Sequence, residues 1–411
     1  MTVCETERES TADATPWRLG ASPASYTIGD VRAVLPDRVT ESAAVVVEDG
    51  RIVEVVERTA SGAPLRGDVD GGGYLLTPGF IDTHSDAFEK ERTPRPSVHL
   101  PLDFTINSFE SRIAGVGITT VFHGFGFHNN SSQGVVRSPQ ASRELADFID
   151  ALHHDGTEHQ VDHRVLHRFD VRADEGAAVL RGRIEGLPAD ALPIQLSHED
   201  HTPGQGQYAD LEHHLDFLVA SGADREEATA NIQRRIDEAR ATEQVREANL
   251  AWAGELARTG TARLLGHDCD SPEAIDELAA RGGLIAEFPT TLAAARRARE
   301  LGMLIVAGAP NLLRGGSHSG NVAAAELLAE GLVDTISSDY LPSALLGSVA
   351  RVVRDRSLPV AEAFALITSG GAAVAGLADR GRIAPGLRAD FALVDDGPRW
   401  PRVVTTFRAR Q

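Results

Sequence analysis

Histidine and carboxylate residues recur directly after short apolar segments of the chain. His84 and Asp86 are separated by one residue, a spacing that turns both side chains to the same side of an extended strand. Later segments end in Ser-His-Glu-Asp-His at 197–201, Gly-His-Asp at 266–268 and Ser-Asp-Tyr at 338–340. Imidazole and carboxylate groups without a thiolate are typical ligands of Zn²⁺, Mn²⁺ or Fe²⁺. The pattern therefore predicts a site for one or two divalent metal ions, which suits hydrolysis.

Eight short apolar segments predict the strands that position these groups. Several of them are separated by helical stretches, the longest of which, 225–258, is predicted as one helix, two helices or an insertion. This alternation predicts an α/β protein built on a (β/α)₈ TIM-like barrel, whose active site follows the C-terminal ends of the strands. The predicted strands are Leu75–Ile81, Ile118–Phe122, Arg164–Val171, Pro193–Leu196, Ala262–Leu265, Leu284–Phe288, Met303–Val306 and Thr335–Ser338.

The two ends of the chain predict a second, smaller β-structure. Two β-branched runs flank the turn Asp49-Gly50, which indicates a hairpin, and the segment 381–407 has a similar texture. We expect 25–76 and 380–411 to form one composite β-sandwich and 77–379 to form the barrel. Residues 1–24 are polar and without periodicity, so they are predicted to be a disordered leader.

Composition excludes several classes of function. The chain has 411 residues with 40 Lys and Arg against 60 Asp and Glu, and the net charge of −20 disfavours nucleic acid and anionic membrane as partners. No apolar run approaches the roughly 18–20 residues of a membrane helix, and the first residues lack the basic and apolar regions of a signal peptide. The two cysteines cannot form a disulfide framework, so a cytoplasmic location is predicted.

Five longer strings narrow the prediction: HSDAFEKERTPRP at 84–96, DHTPGQ at 200–205, AEFPT at 286–290, GAPNLLRGGSHSGN at 308–321 and SSDY at 337–340. Across the chain from the hairpin to the tail, they resemble the amidohydrolase superfamily and, within it, the α-D-ribose 1-methylphosphonate 5-triphosphate diphosphatases of the carbon–phosphorus lyase pathway. The resemblance implies a metal-dependent hydrolase that releases diphosphate in phosphonate catabolism and leaves the 5-phosphate.

The resemblance also implies the residues of the site. It implies that Asp339 would take the proton of the attacking water. At one ligand position the chain departs from the family, which usually has Glu where this chain has Asp170. Two histidine ligands of the superfamily normally follow the fifth and sixth barrel strands. The strands predicted from this sequence place His201 and His267 after the fourth and fifth. The implied metal ligands, for one or two ions and most favourably Zn²⁺, are His84, Asp86, Asp170, His201, His267 and Asp339.

A triphosphate requires local positive charge in so acidic a chain. Gly315-Gly316 is predicted either as an anion-binding turn or as the entry to a helix over 321–328. The partner is then a small phosphorylated molecule, and a homo-oligomer is compatible with this prediction. The expected substrate-binding residues are Lys90, Arg92, Arg95, Asn311, Arg314, Gly315, Gly316 and His318.

Other interpretations remain open. A deacetylase or cyclic amidase of the same superfamily would use the same metal ligands on a C–N bond and would need no arginine cluster. A barrel without metal could serve as a binding protein. Glu287 either points into the site or belongs to a simple turn at the end of its strand. Four further histidines are expected at the surface: His153, His154, His159 and His163.

Overall fold

Fifteen strands form two sheets in the computed structural model, which describes residues 22–58, 65–95, 97–129, 138–317 and 320–409. Residues 1–21 of the predicted leader lie outside the described residues. The strands are β1 (Tyr26–Ala33), β2 (Ser42–Glu48), β3 (Arg51–Arg58), β4 (Val69–Asp70), β5 (Leu75–Pro78), β6 (Phe80–Ser85), β7 (Ile118–Phe127), β8 (Asp162–Asp170), β9 (Ile194–Glu199), β10 (Ala262–His267), β11 (Ile285–Glu287), β12 (Leu304–Gly308), β13 (Thr335–Ser337), β14 (Phe391–Asp395) and β15 (Arg402–Phe407).

The strands β6 to β13 form an eight-stranded parallel sheet in chain order. This arrangement confirms the predicted (β/α)₈ barrel, and each predicted barrel strand overlaps an observed one. The prediction of Leu75–Ile81 as a single strand is wrong, because the chain changes sheets at Pro78-Gly79. A Cβ at Gly79 would lie 2.1 Å from Thr119 Oγ1, so only glycine fits this close crossing.

Backbone and side-chain bonds join β13 to β6 and bring the two ends of the barrel sheet together. The Asp339 amide donates to the His84 carbonyl at 2.9 Å, and the Asp86 amide donates to the Asp339 carbonyl at 2.7 Å. Beneath them, Asp82 accepts from the Ser338 amide at 3.0 Å and from its hydroxyl at 2.5 Å. Burial raises the pKa of Asp82 to about 6, and the bonds from Ser338 oppose this rise. These bonds between the first and last barrel strands therefore fix the backbone at His84, Asp86 and Asp339.

The second sheet contains strands from both ends of the chain, as predicted. Its order is β15-β14-β5-β1-β2-β3, and β4 also pairs with β1. The predicted hairpin is present as β2 and β3, with φ of 47° at Asp49 and 70° at Gly50 in its turn. Residues from both ends share one core, in which the rings of Tyr26 and Phe407 stack at 6.1 Å.

Helices surround the barrel strands. The predicted long helix is two helices that meet at Thr242, and no helix in the described ranges has the length and apolar character needed to cross a membrane. The helices are α1 (Ala87–Arg92), α2 (Leu102–Ala114), α3 (Pro139–Ala151), α4 (Asp174–Ile184), α5 (Leu211–Ala220), α6 (Arg225–Ala241), α7 (Glu243–Arg258), α8 (Pro272–Ala280), α9 (Leu292–Glu300), α10 (Ala309–Arg314), α11 (Ala324–Ala329), α12 (Ala344–Arg354), α13 (Val360–Ala365) and α14 (Ser369–Ala375).

A buried ion pair joins the C-terminal segment to the barrel wall. Arg380 Nη1 donates to Asp162 Oδ2 at 2.6 Å and to Thr120 Oγ1 at 3.0 Å. Burial alone would raise the pKa of Asp162, but the charges of Arg164 and Arg380 outweigh burial and hold it below its ordinary value. The pair keeps two otherwise costly buried charges compensated.

Candidate active site

The C-terminal ends of the barrel strands surround a cavity of about 280 Å³. His84, Asp86, His267 and Asp339 all line it. A larger cavity of about 610 Å³ lies near the opposite ends of the strands, but none of the four clusters of metal-ligand residues found among the described residues lines it. The smaller cavity is the candidate active site, since barrels carry their chemistry at the C-terminal face.

One group of possible metal ligands follows the first and last barrel strands. His84, Asp86 and Asp339 each place a ligand atom within 4.8 Å of the others. His84 Nε2 lies 3.5 Å from Asp86 Oδ1. Asp339 has a φ of 54°, a left-handed conformation held by its backbone bonds to β6. The predicted His-x-Asp pair and the terminal aspartate therefore meet in space.

A second group follows the fourth and fifth barrel strands. Glu199, His201 and His267 also place ligand atoms within 4.8 Å of one another. Asp268 adjoins this group, because its Oδ2 lies 3.6 Å from His201 Nε2 and 3.5 Å from His267 Nε2. The strand count made from the sequence is confirmed for both histidines.

Glu287 bonds to one histidine of each group, on the side away from the ligand atoms that face the cavity. It is fully buried, and its Oε1 and Oε2 accept from the Nδ1 atoms of His84 and His267, both at 2.9 Å. Ser197 also donates to Oε2 at 2.5 Å. Burial opposes charge on Glu287, but His84 and His267 outweigh it and hold its pKa below the ordinary value. Because Nδ1 of each ring is bonded to Glu287, Nε2 is the atom that faces the cavity groups.

Arg168 supplies positive charge between the two groups. Its Nη1 donates to Asp86 Oδ2 at 2.7 Å and its Nη2 donates to Glu199 Oε2 at 2.9 Å. The guanidinium is nearly buried, and burial alone would lower its pKa, but Asp86 and Glu199 outweigh burial and raise it. Arg168 thus orients one carboxylate of each group.

Asp170 is not brought into either group. Its Oδ1 accepts from the Arg172 amide at 2.9 Å, and its Oδ2 lies 3.7 Å from His128 Nδ1. The acidic residue that joins His201 and His267 is Glu199, which ends the next strand along the chain. The Asp170 side chain, which is shorter than the Glu usual in the family, lies beside His128 instead.

The predicted basic residues do not all face the cavity. Arg314 lines it, and among the described residues no ion pair joins Arg314 to a carboxylate. Lys90 Nζ lies over the Tyr340 ring at 5.2 Å, beside the cavity. Arg92 is half-buried and Arg95 is exposed, and neither lines the cavity. Of the basic residues predicted from the sequence, the structure therefore favours Arg314 as a cation at the site, in addition to Arg168, which is paired with Asp86 and Glu199.

The glycine turn ends a helix. Gly315 has a φ of 87° and follows α10 directly, so it is not the entry to a helix, and the next helix begins at Ala324. The amides of Gly315 and Gly316 both donate to the Asn311 carbonyl, at 3.0 and 3.2 Å, which occupies the donors expected to bind an anion. The Asn311 side chain lines the cavity and accepts from the Ala324 amide at 3.0 Å. His318 lies outside the described residues.

The donor set fits a divalent metal. His201 Nε2 and Asp268 Oδ2 are buried without hydrogen-bond partners among the described residues. Burial opposes positive charge on the His84 imidazole, but Glu287 and Asp86 outweigh burial and raise its pKa well above the ordinary value. The carboxylates around this position therefore favour a positive charge. Imidazole nitrogen and carboxylate oxygen together suit Zn²⁺, Mn²⁺ or Fe²⁺.

Four residues of the site were not among the candidates from the sequence: Arg168, Glu199, Asp268 and His128. Glu199 carried a usable signal, because Ser197, Glu199 and His201 alternate and so share one side of an extended chain. Asp268 follows His267 directly and has a φ of 56°, which period-two reasoning does not reveal. Arg168 carried no signal, since its role depends on partners 82 and 31 residues away.

Comparison with known proteins relates this site to a family. The family model described as the amidohydrolase family matches residues 112–404. The alpha-D-ribose 1-methylphosphonate 5-triphosphate diphosphatase of Escherichia coli strain K12 is 34% identical over 370 residues, covering 89% of this chain and 94% of that protein.

Solved structures show the same fold at low identity. The N-acetyl-D-glucosamine-6-phosphate deacetylase of Mycobacterium smegmatis is 12% identical with a TM-score of 0.59, over 94% of this chain and 98% of that chain. The 5-methylcytosine deaminase of Klebsiella pneumoniae is 15% identical with a TM-score of 0.55, over 93% of this chain and 96% of that chain. With the family match across most of the barrel and a relative of this identity over nearly the whole length, the chain belongs to the amidohydrolase family and is a hydrolase.

Proposed function

We propose that the chain hydrolyses α-D-ribose 1-methylphosphonate 5-triphosphate to diphosphate and the corresponding 5-phosphate. The observation that carries the proposal is the similarity to the Escherichia coli diphosphatase over 89% of the chain. It is supported by the cavity at the barrel mouth, which is lined by Arg314 and by members of both groups of metal-ligand residues. This combination suits a substrate that is both polyanionic and hydrolysable.

The two groups would hold one or two divalent ions, most favourably Zn²⁺. His84, Asp86 and Asp339 would bind one ion, and Glu199, His201 and His267 would bind the other. A divalent ion in such a site supplies Lewis acidity, which polarises a phosphoryl oxygen and lowers the pKa of water.

Asp339 is the proposed proton acceptor. Burial and the neighbouring carboxylate of Asp86 raise the pKa of Asp339, which makes it a better base than an exposed aspartate. The oxygen of water forms a bond to the α-phosphorus, and the bond from that phosphorus to the bridging oxygen of the β-phosphate breaks. The water proton passes to Asp339, and diphosphate leaves with the electron pair of the broken bond.

Arg314 is the proposed cation for the departing diphosphate. It lines the same cavity as Asp339, and no carboxylate in the part of the chain that the structure describes forms an ion pair with it. A guanidinium can donate two parallel hydrogen bonds to phosphate oxygens, which a lysine cannot do. Its interaction strengthens as charge develops on the leaving group, so it favours the transition state.

The test follows hydrolysis in water labelled with ¹⁸O. We expect ribose 1-methylphosphonate 5-triphosphate to yield diphosphate as the first phosphorus product, with the label in the sugar 5-phosphate. A label in diphosphate would contradict attack at the α-phosphorus, and orthophosphate as first product would contradict the cleaved bond. Nucleoside triphosphates serve as controls for the sugar. Hydrolysis of an N-acyl or cyclic amide, with no release from phosphate esters, would replace this proposal by an amidase.

We also propose a cytoplasmic location and a small phosphorylated molecule as the natural partner. The low cysteine content supports the location, since Cys269 is a buried free thiol. The strong negative charge of the chain supports a small ligand over a nucleic acid.

A further inference from the structure

A second cluster of histidines lies on the outer side of the barrel wall, away from its mouth. Glu110 on α2, His159 in the segment before β8 and His163 in β8 place ligand atoms within 4.8 Å of one another. None of the three lines the cavity of the candidate active site. Of the four histidines expected at the surface, His163 contradicts the expectation: it is only 2% exposed, because it lies against Glu110 of α2.

Two distances within this cluster are close to those between the ligands of a tetrahedral metal site. His163 Nε2 lies 3.4 Å from Glu110 Oε1, and His159 Nδ1 lies 3.6 Å from the same oxygen. Ligands about 2.0–2.1 Å from Zn²⁺ in a tetrahedron are separated by roughly 3.3–3.4 Å. The two nitrogens therefore lie at about the separation from this oxygen that two ligands of one ion would have, and all three atoms lie within 4.8 Å of one another.

Each ligand is also oriented by a further partner. His159 Nε2 lies 3.2 Å from Asp155 Oδ2, so this nitrogen carries the proton and Nδ1 is left free to coordinate. His163 Nδ1 lies 2.9 Å from His123 Nε2, and a proton on His163 Nδ1 leaves its Nε2 free.

The two coordinating nitrogens are buried and lack hydrogen bonds, whereas Glu110 Oε1 accepts from the Val161 amide at 3.0 Å and keeps a second lone pair for an ion. His163 Nε2 and His159 Nδ1 have no hydrogen-bond partner among the described residues, and the two side chains are 1% and 9% exposed. Both line a cavity of about 80 Å³, which has room for a fourth ligand such as water. Two buried nitrogens aimed at one carboxylate oxygen are costly unless something binds between them.

The charges around the cluster are mixed. Glu110, Asp155 and Asp162 are carboxylates near the cluster, and Asp162 is itself paired with Arg164 and Arg380. Arg408 lines the same cavity and donates to the His159 carbonyl, so its charge opposes a cation. Two imidazoles and one carboxylate favour a d-block ion over Mg²⁺ or Ca²⁺, which prefer oxygen ligands.

We propose that Glu110, His159 and His163 bind a structural divalent d-block ion, most favourably Zn²⁺, which ties the segment before β8 to α2. The fourth position faces the small cavity. A protonated His159 paired directly with Glu110 is the arrangement that the ion replaces. This proposal does not depend on the reaction at the barrel mouth.

Zinc binding by the purified full-length chain tests the site. We expect wild-type protein to bind one more equivalent of Zn²⁺ than His159→Gln across a series of zinc-buffered solutions, measured by equilibrium dialysis and mass spectrometry. Loss of an outer partner of a ligand costs about 10–100-fold in affinity, so loss of the ligand itself should cost at least about 100-fold. Asp155→Asn should retain the equivalent with about 10–100-fold weaker affinity.

His154→Gln is the matched control, because His154 is exposed, lies in the same segment and belongs to none of the clusters. It should bind as much Zn²⁺ as wild type. Equal stoichiometry and affinity in wild type and His159→Gln would overturn the proposal. The diphosphatase assay on His159→Gln should remain unchanged, which separates this site from the barrel mouth.

Crystals grown with Zn²⁺ give a test that needs no variant. Anomalous scattering at the zinc edge should show a peak between Glu110 Oε1, His159 Nδ1 and His163 Nε2. No peak there in crystals that contain zinc at the barrel mouth would also refute the site, whatever the folding of the variants.

Discussion

Replacing Glu287 with Gln tests whether one buried carboxylate sets the orientation of two imidazoles. Both Glu287 oxygens accept an Nδ1 proton at 2.9 Å, one from His84 and one from His267. An ionised carboxylate only accepts hydrogen bonds, so both rings must carry the proton on Nδ1 and present Nε2 to the cavity. Gln is nearly the same size but offers one acceptor and one donor group, so it can satisfy only one ring in this form.

The magnitude follows from the bond that is lost. The amide group of Gln would face one Nδ1 atom, and that ring must then move its proton to Nε2 or lose the bond. A hydrogen bond to a charged group contributes about 1.5–3 kcal/mol, which is roughly 10–150-fold in an equilibrium constant. Outer partners of metal ligands typically contribute about 10–100-fold. We therefore expect Glu287→Gln to weaken metal binding at the barrel mouth by about 10–100-fold, with a matching loss of activity at limiting metal.

A zinc competition titration with parallel rate measurements is the assay. Ser197→Ala is the matched control, because Ser197 donates to the same carboxylate at 2.5 Å but does not set either tautomer. It should cost about 1 kcal/mol of stability and leave metal affinity near that of wild type. The reasoning is refuted if Glu287→Gln binds metal and turns over as wild type does, or if Ser197→Ala shows the same loss of affinity.

Three other substitutions test the charges of the structure. Arg314→Ala should lower kcat/KM for the triphosphate about 10–150-fold, from about 1.5–3 kcal/mol for a charged hydrogen bond, and less for a diphosphate; an equal loss in Arg95→Ala, which lies outside the cavity, would contradict this. Asp339→Asn should retain substrate binding and react at least about 100-fold more slowly; loss of metal instead would identify Asp339 mainly as a ligand. Arg380→Met leaves Asp162 buried with a weaker partner and should lower the free energy of unfolding by about 3–5 kcal/mol in urea at neutral pH. Because the folded pKa of Asp162 is lowered, this contribution is present above its unfolded pKa of about 3.9 and is lost as the pH falls below it; an acid profile identical in both proteins would argue against it.

The barrel could be predicted because its pattern is local. Each strand is a short apolar segment between helical stretches, and topology places every strand end on one face. From that rule it follows, without any measured distance, that His84, His267 and Asp339 lie on the same face of the barrel. The exchange of sheets at Pro78-Gly79 could not be predicted in this way, since both halves of the segment are apolar and buried. What separates them is the close approach of Thr119 to Gly79.

Residues whose role depends on distant partners were beyond local reasoning. Arg168 is charged in a barrel strand, which by composition alone is an unfavourable position. Its two carboxylate partners lie on other strands, and only the closed barrel brings the three together. His163 is a second example, because the group of histidines around it in the sequence led to the prediction of a surface position. Its burial depends on Glu110, which lies on a helix 53 residues earlier in the chain.

The charge balance at the barrel mouth explains how an acidic chain could accept a polyanion. Five carboxyl groups and one guanidinium lie in or directly behind the two ligand groups: Asp86, Glu199, Asp268, Glu287, Asp339 and Arg168. With neutral imidazoles, as metal ligands require, ionised carboxyl groups would exceed the guanidinium charge and repel a triphosphate. Two divalent cations carry the charge that would offset this excess, and Arg314 would then remain to bind phosphate. Cation binding should therefore precede binding of the triphosphate, because the same carboxylates attract the first and repel the second.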